Sequence, residues 1–302
     1  MIQVSEISDY LQKGYTGKNF LIKRPVSLDK IVNNSIAFLN NNRQKSIPNV
    51  EALVLIPKGF DINGFKCAFI EVENPRLSFA RVVNKYFLTM RKNKGIHQTC
   101  VLGDSCMIDE SASIGPNCVI GDRVVIGANT IINNNVVISD NVIVGGNCYI
   151  KSGAIIGEDG FGFEFEQNGL PVRIPHIGNV VIGNNVEIGS NSVIARGTLN
   201  STTIEDGVKI DDHVFIAHNC YISSNTMITA FAEISGSVTV GKNCWIGPNS
   251  SIIQKINIGD NSTIGIGAII TENIGKNKKI MGLNGIELRD LVRLKKRIRY
   301  GK

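Results

Sequence analysis

Ile204-Glu205-Asp206-Gly207-Val208-Lys209-Ile210-Asp211-Asp212-His213-Val214-Phe215-Ile216-Ala217-His218-Asn219-Cys220-Tyr221-Ile222 returns an isoleucine at every sixth position. A period of six fits neither a helix nor the alternation of an ordinary strand, so it demands a repeat architecture. Working outward, a branched aliphatic keeps the same spacing from Leu102 through Ile108, Ile114, Ile120, Ile126, Ile132, Ile138, Val144 and Ile150 to Ile156. The count resumes at Ile182, Ile188 and Ile194, then runs unbroken from Ile204 to Ile270. The residue two before each aliphatic is small or modest (Ala112, Val124, Thr130, Ala154, Ser192, Ala232), and glycine often follows it. This pattern suits short flat strands whose large and small inward side chains fill a narrow prism with sharply bent corners. Three hexads close one coil, which gives about eight coils and a rod about 40 Å long at the usual strand spacing.

The 302 residues leave room for more than the repeat. Residues 1–96 read as a small α/β domain, 97–274 as the β-helix, and 275–302 as a basic tail containing a short helix. No apolar run approaches the length of a membrane span, and Met1 to Leu11 lacks the basic head and apolar core of a signal peptide, so a cytoplasmic location is expected. Six of the seven cysteines, Cys100, Cys106, Cys118, Cys148, Cys220 and Cys244, occupy the small inward position and read as core residues; Cys67 lies outside the repeat. No metal-ligand cluster is visible. The net charge of +6 is concentrated in Arg289, Arg293, Lys295, Lys296, Arg297, Arg299 and Lys302, beside Leu288, Leu291, Val292 and Leu294. Such an end is either a solvated face or an attractor for an acidic protein or a phosphate-bearing ligand.

A rigid rod carries its chemistry where its regularity breaks. The first break, 157–181, inserts Glu158-Asp159-Gly160-Phe161-Gly162-Phe163-Glu164 and Ile174-Pro175-His176-Ile177-Gly178-Asn179, an excursion suited to lining a cleft. The second adds four residues around Arg196-Gly197-Thr198-Leu199. Of four histidines, His97 stands at the domain junction and His176 in the long loop, where bonding to backbone is the simpler role. His213 and His218 lie on the prism. His218 falls at an outward corner, and eighteen residues on, one coil away, lies Gly236. An imidazole can act as general base, and a bare backbone N–H beside it can hold the oxyanion formed when an amine attacks a thioester.

Ser35-Ile36-Ala37-Phe38-Leu39-Asn40-Asn41, Glu73-Asn74-Pro75-Arg76-Leu77-Ser78-Phe79-Ala80-Arg81-Val82, the Gly157 to Phe163 loop with Ile174 to Gly183, and Phe215-Ile216-Ala217-His218-Asn219 together resemble the UDP-3-O-acylglucosamine N-acyltransferase family of the lipid A pathway. That resemblance covers nearly the whole chain. It implies a mainly β fold, a left-handed parallel β-helix preceded by a small α/β domain and followed by a C-terminal helix, assembled as a homotrimer with active sites between neighbouring prisms. It further implies His218 as general base, Gly236 as oxyanion donor and Asp211 as the acid that orients the imidazole. Phe38 would stack on uracil and Asn41 hydrogen-bond beside it, with Phe161, Gly162, His176, Asn219 and Lys255 also meeting substrate. An acyl carrier protein would meet the basic tail and deliver its phosphopantetheine thioester; no metal, covalent cofactor, nucleic acid or membrane span is implied.

Three positions depart from the family's pattern. Gln44 stands where a second aromatic would complete the base sandwich, Ala195 replaces an acid before Arg196-Gly197, and Lys255 replaces a histidine, where it could bind a phosphate or pantetheine group or be a plain corner lysine. Two other readings therefore stay open. One is N-acylation of a different nucleotide-linked amino sugar for surface polysaccharide with acyl-CoA; the other is a non-catalytic hexapeptide scaffold or sugar-binding subunit.

Overall fold

In the computed structural model, which describes residues 1–39, 48–88 and 95–282 with Gly285, Glu287, Arg289, Asp290 and Arg293, the chain divides into Met1–Arg91 and Lys92–Lys302. The first unit runs β1 (Ile2–Gln3), α1 (Val4–Leu11), β2 (Tyr15–Thr16), β3 (Leu21–Ile22), β4 (Arg24–Pro25), β5 (Ser35–Phe38), β6 (Leu53–Pro57), β7 (Ala68–Val72) and α2 (Pro75–Tyr86). Its main sheet has the order β2-β7-β6-β5-β4, with β2 antiparallel to β7 and the other pairs parallel. Both faces of that sheet are covered: Ile36, Leu53, Leu55 and Ile70 pack with Ile7 and Val82, while Ala37, Val54, Ile56 and Phe69 pack with Ile31 and Leu39. Continuous apolar strands such as Leu53–Pro57 are what a parallel sheet covered on both sides requires. The Asn-Pro-Arg-Leu segment starts α2 because Asn74 accepts the Leu77 N–H at 3.0 Å and Pro75 occupies a first-turn position that needs no donor.

The second unit is a parallel β-helix built from sheets of 8, 10 and 9 strands. Successive coils stack isoleucine on isoleucine, Ile114 against Ile132 and Ile132 against Ile150. Ile114, Ile138, Ile150, Ile188, Ile216 and Ile234 are fully buried, each worth about 1.5–3 kcal/mol of burial. The prism begins earlier and ends later than the 97–274 expected, because Gly95–Ile96 already pairs with Ser113–Ile114 and Lys279–Ile280 with Thr263–Ile264. Ile96 is one period before Leu102, so this extension was present in the spacing.

The corners explain the asparagines. The third residue after the aliphatic adopts a left-handed backbone, as at Asn117 (φ 58), Asn129 (φ 57), Asn219 (φ 60) and Asn243 (φ 55), and asparagine tolerates this region better than other residues with a side chain. The inward cysteines also do more than fill space. Cys106, Cys148 and Cys220 point their thiols at the Gly121, Gly183 and Ser235 carbonyls at 3.1, 3.1 and 3.2 Å. Thr130 and Thr226 donate in the same way to Gly145 and Gly241, both at 2.7 Å. The small inward position thus seals corner carbonyls that would otherwise be buried without a donor.

The two breaks appear as register jumps. Ile150 pairs with Ile188, where twenty residues loop out, and Ile188 pairs with Ile210, where four do. The first loop carries an antiparallel hairpin, Phe163–Phe165 against Pro171–Arg173. The expected C-terminal helix has Arg289, Asp290 and Arg293 in helical conformation; the rest of that expectation lies outside the described residues. Among the described residues, no helix is long and apolar enough to cross a membrane.

Candidate active site

His218 follows the short strand Phe215–Ile216 at the corner where the chain turns toward Tyr221–Ile222. The next residue, Asn219, is left-handed, and its side chain folds back so that Oδ1 lies 3.0 Å from His218 Nδ1. That same Oδ1 accepts the Thr198 N–H at 3.1 Å and the Thr198 hydroxyl at 2.9 Å. A backbone N–H can only donate, so the atom facing it is the amide oxygen, and His218 Nδ1 must carry the hydrogen. The lone pair of the neutral ring is therefore on Nε2, which has no partner among the described residues.

Nε2 looks onto Gly236. A Cβ there would lie 2.7 Å from both Nε2 and Cε1 of His218, so only a glycine allows the ring to sit where it does. At some corners the backbone N–H of this hexad position is taken by an Asp or Asn one coil on, as at Asp122 by Asp140 at 2.9 Å, Ser190 by Asp212 at 2.7 Å and Lys242 by Asp260 at 3.0 Å, and at others, such as half-buried Ala128 and Ala230, it is left to solvent. Beyond Gly236 that position is Gln254, and the Gly236 N–H forms no hydrogen bond among the described residues although the residue is buried. A buried backbone donor without an acceptor is rare and calls for a ligand or a functional reason.

The long loop supplies the opposite wall. A Cβ on Gly160 would lie 2.9 Å from His218 Cδ2 and 2.9 Å from His176 Nε2, so this glycine is wedged between the two imidazoles. The rings meet edge to face with centroids 5.3 Å apart. Arg196, from the second break, grips the loop's stem: Nε donates to the Gly157 carbonyl at 2.5 Å and Nη2 to the Asp140 carbonyl at 3.4 Å, with Asp159 at 3.9 Å.

The remaining expected site residues stand as follows within one chain. His176 is only 5% exposed; its Nδ1–H is held by the Ile174 carbonyl at 3.0 Å and its Nε2 is enclosed, so within one chain it supports the loop and offers no surface to substrate. Gly162 packs on His176, where a Cβ would lie 2.9 Å from Cε1. The Asn219 side-chain oxygen is taken up by His218 Nδ1 and Thr198. Asp211 is exposed at the preceding corner of its coil, lining a 260 Å³ depression with Lys151, Lys209, Met227 and Trp245, and within one chain it does not reach His218, whose Nδ1 is already paired. His213 stacks flat on Phe231, centroids 4.9 Å apart. Lys255 is on the same edge as His218, its N–H bonded to the Gly236 carbonyl at 3.0 Å. Phe161 stands free at 85% exposure, with Phe163 4.9 Å away and Arg173 over Phe163. In the first unit Phe38 is partly buried, one side packed on Phe79 at 4.9 Å; Asn41 and Gln44 lie outside the described residues. Sequence reasoning passed over Thr198 and Gly160, although both lie in the two breaks. Among the described residues no group of three or more His, Cys, Asp or Glu could hold a metal ion.

Parallel hexad coils with a histidine at a glycine-bordered corner define the class of hexapeptide-repeat acyltransferases. Residues 99–134 match the bacterial transferase hexapeptide (six repeats) family, and 119–152, 179–223 and 237–272 match the hexapeptide repeat of succinyl-transferase. A UDP-3-O-acylglucosamine N-acyltransferase of Delftia acidovorans is 36% identical over 267 residues, 87% of this chain and 79% of that protein. The chain belongs to the UDP-3-O-acylglucosamine N-acyltransferase family. Relatives of the same name from Cupriavidus metallidurans and Coxiella burnetii are 44% and 42% identical over 41% and 66% of this chain, and the match spans only 35% and 64% of their own lengths. Among solved structures, a UDP-N-acetylglucosamine acyltransferase of Francisella novicida matches 66% of this chain and 73% of its own at 28% identity, TM-score 0.58. A UDP-N-acetylglucosamine O-acyltransferase of Moraxella catarrhalis matches 66% and 77% at 26% identity, TM-score 0.57.

Proposed function

We propose that this chain transfers an acyl group from a thioester to the amine of a UDP-linked glucosamine derivative. The observation that carries the reading is the pairing of a bare His218 Nε2 with the unbonded Gly236 N–H on adjacent coils. Nε2 removes a proton from the sugar nitrogen as that nitrogen attacks the thioester carbonyl. The developing oxyanion takes the Gly236 N–H, a contact of a kind whose loss costs about 10²–10³ in rate. When the C–S bond breaks, the imidazolium returns its proton to the leaving thiolate, so the products are an amide and a free thiol. The neutral Asn219 amide holds the ring throughout. Nothing in this sequence of steps calls on a nucleophilic cysteine, and the thiol of Cys220, two residues away, points inward at a carbonyl.

The donor is an acyl carrier protein thioester, with acyl-CoA as the competing source, and the acceptor's uridine meets the free side of Phe38. Three copies would place Phe161 and the apolar loop of one prism against the next. These assignments rest on the family and imply a cytoplasmic reaction. Mass spectrometry of products from UDP- and dTDP-amino sugars, each offered acyl carrier protein and CoA thioesters, separates the lipid A precursor from another nucleotide sugar. His218→Ala is expected to lower kcat by about 10²–10⁴-fold. Unchanged turnover in that variant would remove the histidine from the mechanism, and no product from the parent with any pair would leave a binding scaffold.

A further inference from the structure

An asparagine is an ambiguous support for a catalytic histidine, because its oxygen and its NH2 group are nearly the same size and lie on opposite sides of one bond. If the Asn219 amide turned over, it would offer N–H to His218 Nδ1 and draw the ring's lone pair there. The hydrogen would then sit on Nε2, the atom that must be bare to accept a proton. A carboxylate has no such wrong side.

We propose that Thr198 is the positioning residue that holds the Asn219 amide in its productive orientation and, through it, keeps His218 in the Nδ1–H form. Asn219 Oδ1 collects three donors: the Thr198 N–H at 3.1 Å, the Thr198 hydroxyl at 2.9 Å and His218 Nδ1–H at 3.0 Å. The backbone N–H selects the oxygen, since an amide NH2 in its place would set donor against donor. The hydroxyl donates to the same oxygen, so with alanine in its place the N–H alone holds the amide and the turned-over form gains population. Thr198 is itself fixed from behind: its carbonyl accepts the Ile177 N–H at 2.8 Å and the Gly178 N–H at 3.2 Å. The four-residue step in the coil therefore has a specific consequence. It lifts Thr198 out of the hexad register and sets it against the side chain of the residue after the base. The same step carries Arg196, which anchors the long loop, so both breaks in the repeat converge on one imidazole.

The kinetic arm of the test rests on the acyl-transfer reading; the spectroscopic arm does not. Thr198→Ala removes one of three hydrogen bonds to Oδ1 and is expected to lower kcat about 3–10-fold with KM unchanged, while Thr198→Ser stays within about twofold of the parent. In an Asn219→Asp background both side-chain atoms accept, no wrong orientation exists, and Thr198→Ala should cost less than about twofold more. An equal loss in both backgrounds, or no loss in the first, overturns the proposal. Independently, ¹⁵N-histidine NMR of the substrate-free full chain at a pH where the ring is neutral should show His218 as the Nδ1–H form in the parent and in Thr198→Ser, with the other form appearing in Thr198→Ala. A parent with hydrogen on Nε2 overturns the assignment. An inactive parent with Nδ1–H would defeat the proposed activity while leaving the positioning role intact.

Discussion

Gly236→Ala tests the site with a single methyl group. The added Cβ would lie 2.7 Å from Cε1 and Nε2 of His218 and 3.3 Å from Nδ1, whereas ordinary contact begins near 3.4 Å. The imidazole must retreat by roughly 0.7–1 Å, and a misplacement of about 1 Å costs on the order of 10²-fold in rate, about 2.7 kcal/mol of transition-state stabilisation. Retreat is constrained on the far side by Gly160, and it stretches the 3.0 Å contact to Asn219 beyond hydrogen-bonding range. The ring cannot move without also loosening the control of its tautomer. Backbone strain is not the cause, since Gly236 does not adopt a left-handed backbone. Steady-state turnover, with a thermal melt to show the fold retained, should therefore give a kcat about 10²-fold lower. A Gly236→Ala protein retaining more than about a third of parental kcat would refute the placement of the reaction in front of this glycine.

Arg196→Ala frees the stem of the long loop from the Gly157 and Asp140 carbonyls; hydrogen bonds from a charged group are worth about 1.5–3 kcal/mol, so faster hydrogen exchange over residues 158–176 and a kcat lower by about tenfold are expected, and unchanged exchange would show the loop is held otherwise. The Cys220 thiol, pushed up to about 12 from the usual 9.0 by burial, stays neutral in the folded chain while the unfolded chain ionises. Its stabilising contribution is thus whole below about pH 9 and is lost as pH rises toward 12, so denaturant midpoints should fall over that window; Cys220→Ser keeps the donor to Ser235 and should flatten part of the fall, with an unchanged slope counting against the argument.

The β-helix was legible because its physics is periodic. One large inward side chain per strand and three strands per coil write themselves into the chain as an aliphatic every sixth residue, and even the extra first strand at Ile96 keeps the phase. The two insertions were legible as interruptions of that phase, and His218 and Gly236 as neighbours because a coil is eighteen residues long. The inward cysteines were recognised as core residues, but their bonds to corner carbonyls needed the coil stacking to appear. Residues seven apart in a three-sided coil stand on different edges, so within one chain Asp211 and His218 are not brought together, whatever their closeness in the chain.

By itself, then, the sequence determined the repeat, its period, its breaks and the stacking of one histidine on one glycine, because each follows from local spacing along a regular path. Only the tertiary structure decided what surrounds the imidazole. Gly160 wedges in from a loop of twenty inserted residues, Arg196 and Thr198 come from a step of four, and His176 is enclosed behind them. Irregular segments have no period to extrapolate, so where they bring their side chains depends on the contacts they make after the rod has formed.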